Sequence, residues 1–102
     1  MEFKTIAVIK LKGSMDALSA QAFEQRLRCL ETPEQIVVVD MDAVEYVSSA
    51  GLRSILAGAK KIQAAGGQLR FCNVKGLVDE IFRCANLATI IPIYKSWKDA
   101  LA

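Results

Sequence analysis

The chain has 102 residues, 53% of them hydrophobic, and contains no histidine. That length suits one domain, while the missing imidazole removes the usual general base, the triad imidazole and the commonest zinc ligand. Thirteen Lys and Arg against eleven Asp and Glu give a formal charge of +2, scattered without a basic cluster, which argues against direct nucleic-acid binding.

Thr5 to Leu11 (TIAVIKL) is β-branched and apolar enough for a first strand, which Gly13 and Ser14 are expected to end. Ala20, Phe23, Leu27 and Leu30 recur at spacings of three and four, marking one face of a helix that Asp16 or Ser19 can cap. Thr32-Pro33-Glu34 stops it, because proline disfavours a helical residue before it. Ile36 to Asp40 (IVVVD) is a continuous apolar run, as expected of a strand buried on both faces of a parallel sheet. Leu52, Ile55, Leu56, Ala59 and Ile62 form a second helical stripe, on a helix beginning near Ser49 and ending at Gly66-Gly67. Gln68 to Val74 reads as a third strand. Leu77, Val78, Ile81, Phe82 and Ala85 mark a third helix, with Asn86 placed to turn left-handed at its end. Ile90 to Tyr94 can form a last strand, which Pro92 confines to an edge or a strand end. Ser96-Trp97-Lys98-Asp99 has the form of a capping box opening a terminal helix, with Trp97 expected to pack that helix onto the body.

Four strands alternating with four helices, over connections too long for hairpins, imply right-handed crossovers. The expected fold is a single α/β domain over residues 1–102, a four-stranded and mainly parallel sheet flanked by about four helices, with a mixed sheet left open. In such sheets functional groups gather beyond the carboxyl ends of the strands. Three loops qualify: Gly13-Ser14-Met15-Asp16, Asp40 through Gly51, and Asn73 to Gly76.

The second loop holds Tyr46-Val47-Ser48-Ser49-Ala50-Gly51-Leu52-Arg53. Two serines stand where the chain should enter a helix, followed by small residues that leave the first turn open. Either serine can be an ordinary N-cap, contributing ~1 kcal/mol. A phosphoserine there would instead meet the positive end of the helix dipole and unpaired N–H donors. Arg53, one turn on from Ser49, could supply a charge-assisted partner for the phosphate.

The succession VVVDM, YVSSAGLRSIL and AGGQLRF resembles the STAS domain of bacterial anti-sigma factor antagonists. The likeness extends through the Gly13-to-Asp16 turn, the Asn86-Leu87 helix end and the Trp97 helix. It implies a partner-switching protein. Unphosphorylated, such a protein binds an anti-sigma factor that is also a serine kinase, and so frees a sigma factor; phosphorylation breaks the complex, and a metal-dependent serine phosphatase restores it. The family's acceptor lies two residues before the Gly-Leu pair, which implies Ser49, with Ser48 the second choice. The implied docking surface comprises Met15, Asp16, Asp42, Ser48, Ala50 and Gly51, with the exposed side of the helix from Ser49 to Ala65. No catalytic activity, metal or cofactor is implied. An alternative within the same fold is an accessory subunit of an ABC-type lipid transport system that binds the ATPase.

Two departures from the family pattern stand out. Ser48 occupies a position where the best-known members carry Asp, which leaves open a tolerated variant, a different kinase or a different acceptor. The family's extra N-terminal strand has at most Met1 to Lys4 to represent it, so the edge of the first strand is open to another chain and a weak homodimer is an expectation.

Other readings are weaker. Asp40-Met41-Asp42 resembles the DxD of haloacid-dehalogenase-like phosphatases, but those enzymes need further acidic ligands, a lysine and a larger domain; a solvated acid pair at a strand end is the simpler account. A receiver domain needs acids where Lys12-Gly13-Ser14 stands, and the Walker motif is missing. Cys29, Cys72 and Cys84 form no CxxC pair, which suits a reducing compartment. The start MEFKTIAVIK does not read as a signal peptide, and no apolar run approaches the ~18 residues of a membrane span. The expectation is a cytoplasmic chain without membrane insertion.

Overall fold

The computed structural model describes residues 5–29 and 35–101. Within them the chain forms β1 (Thr5–Met15), α1 (Ala17–Arg28), β2 (Gln35–Val47), α2 (Ser49–Ala64), β3 (Gln68–Cys72), α3 (Gly76–Cys84), a 3₁₀ turn (Leu87–Thr89), β4 (Ile93–Tyr94) and α4 (Trp97–Leu101). The sheet order is β1-β2-β3-β4, and every neighbouring pair is parallel. Strands added in sequence order by right-handed crossovers put their connecting helices on one face. Accordingly Ile9, Val37, Val39, Leu69 and Phe71 share one buried core with Phe23 of α1, Ile55 and Ala59 of α2, and Val78 and Phe82 of α3. Phe71 and Phe82 meet edge to face with ring centroids 5.5 Å apart, a geometry aromatic quadrupoles favour.

The opposite face is closed by α4, whose Ala100 and Leu101 pack with Ile36, Val38 and Cys72. Arg70 of β3 fastens it. Its Nη1 donates to the Ala100 carbonyl at 2.5 Å while the guanidinium lies over the Tyr94 ring, putting a cation at the negative end of a helix. Trp97 does not pack the helix down as expected, for it remains 48% exposed; the burial falls on Ala100. On this same face Ile6 and Val8 of β1, an edge strand, are half exposed.

Two strands outrun the sequence-based expectation. β1 does not stop at Gly13, which takes φ 72 and lets the strand continue to Met15 through an irregular register. β2 runs on to Val47, so most of the supposed loop from Asp40 to Gly51 is strand. Lys10 pairs with Asp40 but Lys12 with Ala43, and Gly13 pairs with Val44 but Ser14 with Tyr46. Each shift inserts one extra residue into β2, the signature of a β-bulge. Met41, Val44 and Val47 consequently reach the core at spacings of three, a pattern that alternation does not detect.

The remaining boundaries follow local chemistry. α2 ends in a Schellman arrangement, with Gly66 N–H on the Gln63 carbonyl at 3.0 Å and Gly67 N–H on the Ile62 carbonyl at 2.9 Å. β3 stops at Cys72, short of Val74, because Asn73 turns to φ 58. Asn86 is left-handed as expected, at φ 54 and ψ 37. β4 is reduced to Ile93–Tyr94, with the residues before it in the 3₁₀ turn and an irregular link. Leu77, assigned to the buried stripe of α3, is 52% exposed. Leu30 and the Thr32-Pro33-Glu34 stop lie outside the described residues.

Candidate functional site

The extended ladder of β1 and β2 delivers two chain ends to one corner, the entry to α1 at Met15-Asp16 and the entry to α2 at Ser48-Ser49. Asp16 is the N-cap of α1, its carboxylate accepting from Leu18 N–H at 3.1 Å and Ser19 N–H at 3.0 Å. These bonds, the Ser19 N–H foremost, hold the Asp16 carboxyl below its ordinary pKa because they favour the charged form. Ser19 Oγ donates back to the Ser14 carbonyl at 3.1 Å, closing the turn.

The two serines at the start of α2 differ sharply. Ser48 is the N-cap, in extended conformation at φ −78 and ψ 172. Its partly buried hydroxyl donates to the Met15 carbonyl at 2.9 Å and accepts from Gly51 N–H at 3.1 Å. Its own N–H also donates to the Met15 carbonyl, at 2.9 Å. Ser49 begins the helix proper, is exposed, and has a hydroxyl that makes no hydrogen bond among the described residues. Gly51 N–H goes to Ser48 Oγ and Leu52 N–H to the Ser48 carbonyl. The amides of Ser49 and Ala50 therefore have no acceptor among the described residues. No acid occupies the first turn of α2.

Gly51 explains why this corner can be so tight. A Cβ there would stand 2.7 Å from the Met15 carbonyl oxygen, 3.0 Å from Val47 Cγ1 and 3.1 Å from Met15 Cγ. Met15 and Gly51 are buried and shape the corner from inside, whereas Asp16, Asp42 and Ser49 are exposed and Ala50 partly so. Arg53 is exposed beside Ser49 and has no carboxylate within ion-pair distance among the described residues.

The Asp40-Met41-Asp42 segment is tied into the fold. Asp40 accepts from Asp42 N–H at 3.0 Å and from Asn73 Nδ2 at 2.9 Å, bracing the bulge of β2 against the end of β3. Asp42 pairs with Lys75 at 2.7 Å. Burial, reinforced by the charges of Asp40 and Asp42, pushes the Cys72 thiol up to about 11. Among the described residues no group of three or more His, Cys, Asp or Glu side chains could hold a metal. No helix of the described residues is long and apolar enough to cross a membrane.

Large apolar side chains also stay exposed on the elements that carry the site and on α3. Leu18 in the first turn of α1 is 76% exposed, Tyr46 near the end of β2 is half exposed, and so is Leu77 at the start of α3. Leu18 was legible in principle, because it falls off the Ala20-Phe23-Leu27 stripe. Behind Ser49 a shallow apolar groove runs between α2 and α3, lined by Leu52, Leu77, Glu80, Ile81, Cys84 and Ala85.

The corner thus presents an exposed serine hydroxyl on the open first turn of α2, on a small α/β domain. The sequence pattern of the STAS domain matches residues 2–100. The chain is 33% identical over 93 residues to BtrV of Bordetella bronchiseptica, described as a candidate anti-sigma factor antagonist, with 90% of this chain and 80% of that one covered. In fold it is similar to a candidate anti-sigma factor antagonist from Thermotoga maritima, with a TM-score of 0.81 and 20% identity over 94% of this chain and 84% of that one. It is also similar in fold to a sulfate transporter family protein from Wolinella succinogenes, with a TM-score of 0.85 and 12% identity over 94% and 81% of the two chains. The chain belongs to the STAS domain family and, within it, to the anti-sigma factor antagonists.

Proposed function

We propose that the chain is a partner-switching regulator that binds an anti-sigma factor with serine kinase activity while Ser49 is unmodified and is released when Ser49 is phosphorylated. A metal-dependent serine phosphatase resets it. The observation that carries this reading is the division of labour between neighbouring serines. Ser48 Oγ is committed as donor to Met15 and as acceptor from Gly51, whereas Ser49 is exposed and its hydroxyl is free of such bonds among the described residues. A phosphate on Ser49 has the amides of Ser49 and Ala50 and the guanidinium of Arg53 within its own helical turn, so the domain can accept it without refolding.

Release follows from charge. A phosphoserine adds about −1.5 to −2 units at neutral pH, and at a close interface those charges must be desolvated or paired. In this reading the cost falls on a docking surface that includes the exposed Asp16 and Asp42 and the partly exposed Ala50. Incubation with the cognate kinase and ATP, followed by mass spectrometry, tests the assignment. The expected product carries one phosphate, on Ser49, and Ser49→Ala abolishes it; phosphate on Ser48, or on neither serine, refutes it.

A further inference from the structure

The Met15 carbonyl is the point at which the starts of two helices are joined. Its oxygen receives two hydrogen bonds, and both come from Ser48, one from the backbone N–H and one from the hydroxyl, each at 2.9 Å. Gly51 permits the approach, since any Cβ there would lie 2.7 Å from that same oxygen. The next residue is Asp16, whose carboxylate caps α1 through the amides of Leu18 and Ser19. An unbroken chain of contacts therefore runs from the first turn of α2, through the Ser48 hydroxyl and the Met15 carbonyl, to the first turn of α1 and its exposed Leu18.

The hydroxyl is the one link in this chain that a chemical change beside it can redirect. A serine carries a single O–H proton, here held by Met15. The backbone N–H of Ser48 cannot turn. A carboxylate at this position would still accept from Gly51 N–H but would have no proton for Met15 at neutral pH. The residue is thus more than an interchangeable cap: its hydroxyl both caps α2 and adds a side-chain tie from α2 to the β1–α1 corner, which a carboxylate cannot do.

We propose that Ser48 is a positioning residue that couples the state of Ser49 to the start of α1, with its hydroxyl proton as the coupling element. The inference rests on Ser49 as the regulated residue. A phosphate placed one residue away is an ionised acceptor, and hydrogen bonds to ionised acceptors are roughly twice as strong as neutral ones. The Ser48 proton turns toward the phosphate, the Met15 carbonyl keeps only its bond to the Ser48 N–H, and the first turn of α1 loosens from that of α2. One modification then alters both ends of the docking surface, Ser49 itself and the Asp16-Leu18 turn, while the fold persists.

The test uses the full chain with phosphoserine installed at position 49 by chemical ligation, compared with the unmodified chain by NMR amide correlation spectra. The comparison is made in wild type, Ser48→Thr, Ser48→Ala and Ser48→Asp backgrounds. In wild type and Ser48→Thr, the phosphate is expected to shift the amide resonances of Asp16, Leu18 and Ser19 as well as those of Ser49 to Leu52. In Ser48→Ala and Ser48→Asp the shifts at Asp16 to Ser19 are expected to vanish while those at Ser49 to Leu52 remain, an outcome that mere loss of stability would not produce. Equal shifts at Asp16 to Ser19 in every background, or none in wild type, would overturn the proposal. If Ser48→Ala does not fold, Ser48→Asp, which keeps the acceptor for Gly51 N–H, decides alone. Because ligation supplies the phosphate, the result is independent of whether a kinase modifies Ser49, which the kinase assay settles separately.

Discussion

Replacing Gly51 with alanine tests the packing argument at its tightest point. In a helix interior, alanine is favoured over glycine by about 1 kcal/mol, so without tertiary contacts the substitution would stabilise α2. The added methyl, however, would lie 2.7 Å from the Met15 carbonyl oxygen and 3.0 Å from Val47 Cγ1. The first of these neighbours is backbone, held by two hydrogen bonds from Ser48, and cannot swing away as a flexible side chain would. Overpacking in such a place costs roughly 1–3 kcal/mol, and displacing the Met15 carbonyl also weakens a partly buried hydrogen bond worth about 1 kcal/mol. Cost exceeds gain, leaving a net destabilisation of about 1–2 kcal/mol. For a domain of this size that corresponds to a Tm lower by very roughly 4–15 °C. Thermal unfolding followed by circular dichroism, with a urea titration beside it, measures the change. An unchanged or higher Tm in Gly51→Ala would refute the claim that Met15 and α2 meet at this distance, and with it the account of why a glycine follows the Ser-Ser-Ala segment.

Two further predictions concern titratable groups. Buried Cys72, its thiol pushed up to about 11, should be modified by an aromatic disulfide at pH 8 only on unfolding, because only an accessible thiolate attacks, whereas exposed Cys29 and Cys84 react in the native chain. Three thiols modified at one rate in the folded protein would contradict this. The Asp16 carboxyl is held below its ordinary value, so its cap is fully present above the unfolded carboxyl pKa and is lost as pH falls through the lowered folded value. The Tm difference between wild type and Asp16→Ala should accordingly be constant near neutrality and shrink below about pH 4; a constant difference down to about pH 3, in a chain still folded, would exclude the charged cap.

What the sequence revealed and what it hid divide along a physical line. Helices were legible because their packing faces repeat at a fixed period: Ala20, Phe23 and Leu27, or Ile55, Ala59 and Ile62, mark one side whatever the rest of the fold does. The parallel sheet was legible because Ile36 to Val39 is apolar without alternation, as a strand covered on both faces must be. The far ends of β1 and β2 were hidden because bulges reset the count. Met41, Val44 and Val47 point into the core at spacings of three, a strand written in a rhythm that is neither two nor 3.6. Leu77 misled in the opposite way, since it keeps company with a true stripe yet lies on its margin, beyond the reach of the core.

The site shows the same division at higher resolution. Two serines before Ala-Gly-Leu locate a helix start, but composition cannot say which one caps, because either residue type would serve. The choice is made 33 positions away by the Met15 carbonyl, which engages Ser48, and it is made possible by Gly51, which lets that carbonyl approach. Once Ser48 is bound in this way, Ser49 is carried outward as the first residue of α2, and the adjacent hydroxyls differ in kind: one holds two elements together, the other stands exposed. An acidic residue at position 48 could fulfil the capping half of that assignment and keep the backbone N–H bond to Met15, but not the second, side-chain bond to that carbonyl. Serine at position 48, where the family resemblance implies aspartate, therefore adds a side-chain bond at the corner, and a neutral cap would spare a phosphate on Ser49 from standing beside a carboxylate.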